Sequence, residues 1–343
     1  MKQKEIPDSK TFKKVADVKP ESCTGEPKNF TAFLCCHGNF DNIIPSHLGN
    51  NIKLITSGEE DLSDKGVPVI SNHNDYFERL FGKSYCEGSK IHYIWEHPEL
   101  IEGDYVAICH YRRIFRLFFD NNLEDVKRKL TAIIGDGDGV VVSNRATFCH
   151  FGWNRKMWVE TVRETFYRDH GPDYYDKMLE VIKEYYPSLY ENALIASDDP
   201  YMFFFNVTIM HKEMFKKYCI FVFDFFDKLN KKLSTYCDDD VSIYVRGQVD
   251  SGNMPCPNEQ KFYWQKRMHG FIMEFITNLF VISNFSPDKI YTDRIDIPVP
   301  EKKVRRRETK VEVKKPKCPK PDTRKAKKER YNKLILTRYI SNR

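Results

Sequence analysis

The run Asp104-Tyr-Val-Ala-Ile-Cys109 is apolar after its first residue and empties directly into His110-Tyr111-Arg112-Arg113. A short unbroken apolar run reads as a strand buried on both faces, which requires helices above and below its sheet. In parallel sheets of that kind the ligand crevice lies beyond the carboxyl ends of the strands. Adjacent guanidinium groups cannot be buried without anions, because an unpaired buried charge is very costly. Two partners are open: a ligand diphosphate, which the planar Arg fork suits, or carboxylates of the chain itself. If extended geometry persists, His110 and Arg112 share one face and Tyr111 and Arg113 the other.

The rest of the chain supplies such a sandwich. Strands are expected at 30–36, running into His37, and at 52–56, 67–71, 139–143 and 202–210. Helical spacing marks 86–96, 123–134, 173–186 and 212–229, with Pro98 and Pro187 as stops. A last helix is expected over 258–282. At roughly 100° per residue its Met268, Ile272, Phe275, Ile276 and Leu279 share a packing face, while Arg267, Gly270, Glu274 and Asn278 share a face free for a ligand. The expected fold class is α/β, a Rossmann-like sandwich around a mostly parallel sheet.

Charge divides the chain. Residues 301–343 hold 18 Lys and Arg against 5 Asp and Glu, whereas residues 1–300 hold 37 against 44. The expected organisation is a flexible lead-in over 1–28, a catalytic domain over 29–300 and a disordered, basic, Pro- and Lys-rich tail over 301–343. Aromatic content of 14% and hydrophobic content of 41% exclude a wholly disordered chain. The first twenty residues lack the apolar stretch of a signal peptide. The run around Cys219–Phe226 is interrupted by Asp224 and falls short of the roughly 20 residues that span a bilayer. A cytoplasmic protein is expected. Ten cysteines without a C-x-x-C pair read as free thiols in a reducing compartment.

The segment Tyr85–Phe115, YCEGSKIHYIWEHPELIEGDYVAICHYRRIF, resembles the "D-Y-x-G-L-x-H-Y-R-R-Y-F" block of an uncharacterised-domain family of capsular and exopolysaccharide glycosyltransferases. Pro187–Tyr190, Phe205–Met210 followed by Tyr218-Cys219, and Arg267–Glu274 resemble that family's later blocks in the same order, although Phe275-Ile276 replaces its usual Arg-Leu. The resemblance covers about residues 29–283. It implies a glycosyltransferase A-type fold, and an enzyme moving a hexosyl or pentosyl unit from a nucleotide-sugar, UDP-linked foremost, to a glycan or lipid-linked acceptor.

In many such enzymes the strand equivalent to 104–109 ends in Asp-x-Asp, which holds a divalent metal on the donor diphosphate. His110-Tyr111-Arg112 stands there instead, so the expectation is a cation replacing the metal, with His110, Arg112 and Arg113 near the phosphates, no cofactor required and manganese or magnesium not favoured; His110 as a metal ligand is the alternative. Asp136-Gly137-Asp138 matches the motif in letters but precedes its strand, and reads as a turn. Asp238-Asp239-Asp240 reads as a solvated loop.

The donor-binding candidates are His37, Glu87, Ser89, His110, Tyr111, Arg112, Arg113, Asn206 and Arg267. Glu87 and Ser89 open a helix and can equally cap it, and His37 can equally be a loop histidine. For the catalytic base, Glu274 stands beside Asp198 and Asp199; the alternatives are a helical surface pair for Glu274 and a loop bend for the aspartates. The basic tail suggests peripheral contact with an anionic membrane. It also leaves open a polyanion-binding protein, although no specific nucleic-acid signature is present. A non-catalytic sugar-binding module is the third reading.

Overall fold

The computed structural model describes residues 12–37, 43–58, 61–151 and 157–296. Thirteen strands are assigned among them: β1 Lys13–Lys14, β2 Phe30–Cys36, β3 Ile52–Thr56, β4 Val69–Ser71, β5 Tyr105–His110, β6 Ile114–Phe115, β7 Val140–Ser143, β8 Arg145–Phe151, β9 Met157–Glu160, β10 Tyr201–Phe203, β11 Thr208–His211, β12 Ile290–Asp293 and β13 Ile295–Asp296. Eight form the central sheet in the order β1-β12-β7-β11-β5-β2-β3-β4. β11 is antiparallel to both neighbours, and every other pair is parallel.

The helices are α1 Tyr76–Tyr85, α2 Glu87–Glu96, α3 Leu117–Asp120, α4 Leu123–Ile134, α5 Val162–His170, α6 Pro172–Tyr185, α7 Pro187–Asp198, α8 Lys212–Leu233, α9 Asp238–Asp250, α10 Glu259–Gln265 and α11 Met268–Asn284. Alternation along the strands sorts the core into two layers. Phe33, Cys35, Ile55, Val106 and Ile108 face the larger layer, packed with α1, α2, α6, α8 and α11. Ala32, Leu34, Leu54, Ala107 and Cys109 face the other, against Phe118 and the apolar stripe Val126, Leu130, Ile133 and Ile134 of α4. Every residue of β2, β3, β5 and β7 is buried. Coverage on both faces is why these strands read as continuous apolar runs. Among the described residues no helix is long and apolar enough to cross a membrane.

Four expectations need correction. Residues 12–28 are not a loose lead-in: β1 pairs in parallel with β12, and Phe12 and Val15 are buried. The expected strand 202–210 is two strands, because Phe205 and Asn206 have φ of 73° and 54°. That left-handed pair turns β10 onto β8 in a separate antiparallel sheet and returns β11 to the centre. The expected helix 258–282 is broken at Lys266-Arg267, with Asn258 capping α10 by accepting the Lys261 N–H at 2.9 Å. Asp238–Asp240 are the first turn of α9 rather than a loop. The remaining expectations for the tail, 301–343, lie outside the described residues.

Candidate active site

Three parallel strands end level with one another. Register pairs Cys36 with Thr56 and Cys35 with His110, so His37, Ser57-Gly58 and His110-Tyr111-Arg112 emerge side by side. They form the floor of a cleft of about 1010 Å³, walled by α1, by the start of α9 held against the end of α1, and by Tyr263 of α10 and Arg267.

The chain does not stay extended after His110. Arg113 N–H donates to the His110 carbonyl at 2.7 Å and His110 N–H to the Arg113 carbonyl at 3.2 Å, closing a tight turn. Tyr111 N–H donates to the Cys35 carbonyl at 3.1 Å, tying this turn to β2. Extended geometry therefore does not persist, yet the two arginines point apart, as alternation would also have placed them. Arg112 is exposed and lines the cleft. Arg113 turns inward, its guanidinium carbon 3.7 Å from the Phe205 ring centroid.

The turn also fixes the His110 ring. Arg112 N–H donates to His110 Nδ1 at 3.2 Å, so the ring proton of the neutral imidazole belongs on Nε2, which stands 3.1 Å from Glu87 Oε1. Burial above all, then the charges of Arg113 and Arg112, lowers the His110 pKa to about 2. Glu87 opens α2, where a helix N-terminus favours a carboxylate. It is aimed by Cys86, whose φ of 55° makes the corner between α1 and α2. Gly270 admits that corner: a Cβ there would stand 3.3 Å from Cys86 Sγ and 3.4 Å from the Tyr85 carbonyl. At Gly270 the face expected to stay free for a ligand is thus taken up by the Tyr85-Cys86 corner. Arg267 Nε donates to Cys86 Sγ at 3.0 Å, while burial first and Glu87 second push the thiol pKa up to about 12.

Glu274 joins this group from α11. Its pKa is raised to about 7, mainly by burial and also by the charge of Glu87. The Phe205 N–H, delivered by the left-handed turn, offsets part of that rise, as do Arg113 and Arg267. Behind the floor, Lys90 is fully buried, bonded to Ser57 Oγ and 3.8 Å from Glu78 Oε2. Sequence reasoning missed Lys90, although it shares a helix face with Glu87, Ile91 and Ile94, where a lysine has no reason to be buried unless it is paired. It also missed α1 and the α9–α10 wall, whose polar residues carry no motif.

The predicted residues divide accordingly. His37, His110, Tyr111, Arg112 and Arg267 line the cleft, Glu87 touches it through His110, and Arg113 and Glu274 meet at Phe205. The others lie elsewhere. Ser89 is buried and donates to the Cys86 carbonyl at 2.9 Å. Asn206 is buried and accepts from Thr277 Oγ1 at 3.0 Å. Asp198 pairs with Arg163 at 3.2 Å, and Asp199 pairs with the buried Arg145 while accepting the Tyr201 N–H at 2.8 Å. Asp136 and Asp138 are ion-paired to Lys28 and Lys289. They sit by His211, which pairs with Tyr105 at the opposite end of β5.

Among the described residues His37, Glu87 and His110 form one group with metal-ligand spacing, their ligand atoms lying within 4.8 Å of one another. The donor set does not fit a resident divalent ion. His110 Nε2 carries its proton toward Glu87, and moving that proton to Nδ1 would set it against the Arg112 N–H. The charges of Arg112, Arg113 and Arg267 all act on the His110 ring and would equally repel a cation placed beside it.

Residues 42–249 match the family model described as Domain of unknown function (DUF4422). The fold is similar to the apo structure of the WbbM bifunctional glycosyltransferase, with a TM-score of 0.54 and 15% sequence identity. The match covers 78% of this chain and 45% of that one, so the chain spans less than half the length of that protein. At this identity the likeness establishes the fold alone. No curated protein matches.

Proposed function

We propose that this chain, which belongs to the DUF4422 family, is a glycosyltransferase that moves a hexosyl or pentosyl unit from a nucleoside diphosphate donor, UDP foremost, to a hydroxyl of a glycan or lipid-linked acceptor. The observation that carries the reading is the pair of cleft-lining arginines, Arg112 and Arg267, at the carboxyl edge of a mostly parallel sheet, with the half-buried carboxylate Glu274 of raised pKa within the field of Arg267 and Arg113. An edge of this kind is where α/β sheets bind nucleotides.

Arg112, with Arg267 in the same cleft, supplies permanent positive charge for the diphosphate, the role a metal plays where Asp-x-Asp is present. His110 holds Glu87 and the strand-end turn in register. Glu274 is the base. A carboxylate with a pKa near 7 is ionised at working pH yet basic enough to accept a proton. It takes the acceptor hydroxyl proton as that oxygen bonds to the anomeric carbon. The bond from that carbon to the diphosphate oxygen breaks, and the nucleoside diphosphate leaves with the electron pair. Arg113 and Arg267 keep the Glu274 pKa from rising further. No step uses a metal.

A thermal-shift screen against nucleotide-sugars tests the reading. At least one should stabilise the protein, because a ligand that binds only the folded state raises stability by mass action, and Arg112→Ala should reduce the shift. We also propose that 301–343, by charge alone, holds the enzyme at anionic membrane where lipid-linked acceptors reside.

A further inference from the structure

Part of the α9–α10 wall is left unused by donor chemistry. Tyr263 on α10 lines the cleft with 63% of its surface exposed. An aromatic ring held open to water inside a cleft forgoes the burial that normally stabilises it, and offers an apolar face with a polar tip. Asp239, in the first turn of α9, also lines the cleft. The backbone at this point is anchored: the Asp238 carboxylate accepts the N–H groups of Lys83 and Ser84 at 3.0 and 2.9 Å, fixing the start of α9 on the end of α1.

We infer that this wall is the acceptor subsite, and that it takes a neutral sugar ring with its C–H face on Tyr263 and a hydroxyl donated to Asp239. The inference rests on the transferase reading for the word acceptor, but not for the site itself. Carboxylates only accept hydrogen bonds and repel phosphate, so a diphosphate is directed to Arg112 and Arg267 and a polyhydroxyl ring to Tyr263 and Asp239. One cleft thereby holds two ligands of opposite electrostatic preference. Tyr263 is a specificity residue in this account and takes no part in the bond-forming step.

Saturation-transfer NMR on the full chain tests this, with methyl glycosides of neutral hexoses at millimolar concentration as the probe and UDP binding followed by calorimetry in parallel. The expected result is transfer to the hexose C–H protons, reduced about two- to tenfold in Tyr263→Ala as one aromatic contact is lost, and kept in Tyr263→Phe. UDP affinity should be unchanged in both variants. Because the side chain is largely exposed, both variants should melt with the parent, which a thermal scan verifies. Absence of transfer to the parent protein, equal transfer in Tyr263→Ala, or a matching loss of UDP affinity in Tyr263→Ala would each overturn the subsite. Tyr263-dependent glycoside binding without any UDP binding would leave the subsite standing and remove the transferase reading.

Discussion

His110 Nε2 stands 3.1 Å from Glu87 Oε1, joining the end of β5 to the first residue of α2. The opposite ring nitrogen accepts a backbone N–H from the turn that follows β5. One imidazole thus coordinates strand, turn and helix, and its hydrogen bonds settle its tautomer. The chemistry proposed for the cleft depends on that arrangement.

The tautomer has a direct consequence for metal dependence. Transfer should be unaffected by EDTA, and calorimetric titration with manganese should show no stoichiometric binding. Activity abolished by EDTA and restored by manganese would reverse the assignment of His110 as an N–H donor.

In the proposed transfer Glu274 sets the pH dependence. Its proton must be lost before it can act as a base, so the transfer rate should climb as pH rises through about 7 and level off above. Glu274→Gln should lower the rate by about 10²–10⁴ and remove the inflection. Stability moves the other way. Between the unfolded value of 4.5 and the folded value of about 7 the native state holds a proton the unfolded chain has lost, so stability falls as pH rises across that window. Above it, Glu274→Gln should therefore be more stable than the parent by about 1–3 kcal/mol, read from denaturant midpoints.

Asp199 provides the contrast between a structural and a functional carboxylate. Asp199→Ala removes the carboxylate partner of Arg145, whose side chain is 2% exposed. It should cost about 3 kcal/mol of stability while the folded fraction binds UDP as before. Loss of UDP affinity without loss of stability would return Asp199 to the site.

The basic segment predicts a salt-sensitive association. Full-length protein should float with anionic liposomes at low salt and be released at about 0.5 M, where the screening length falls to a few ångströms. Protein truncated after residue 300 should stay in the soluble fraction at both. Equal flotation of the two forms would remove the tether.

What the chain discloses before folding follows from how each feature is encoded. The double-sided burial of β2, β5 and β7 leaves uninterrupted apolar runs, and α4 leaves an amphipathic stripe bounded by Asn122 and Gly135, so these elements can be read directly. The end of β5 signals its place at the crevice because polar residues follow an apolar run. The turn that parts Arg112 from Arg113 contains neither Gly nor Pro, and neither does the left-handed pair Phe205-Asn206. Backbone geometry there is imposed by tertiary contacts, so local residue preference gives no warning of it. Lys90, Tyr263 and Asp239 become site residues only once separate helices assemble around the strand ends, and no spacing within one segment records that. Ser89, Asn206 and Asp199 show the converse: polar residues near plausible motifs whose hydrogen bonds are consumed within the fold.

The central claim is that Arg112, at the strand-end cleft, receives the diphosphate of a nucleotide-sugar. Calorimetric titration of UDP into the parent protein and into Arg112→Ala, both in EDTA, tests it most directly. The account predicts saturable one-to-one binding by the parent without metal, weakened at least about tenfold in the variant, since a hydrogen bond to a charged group contributes about 1.5–3 kcal/mol. Absence of UDP binding by the parent, or equal affinity in Arg112→Ala, would contradict it.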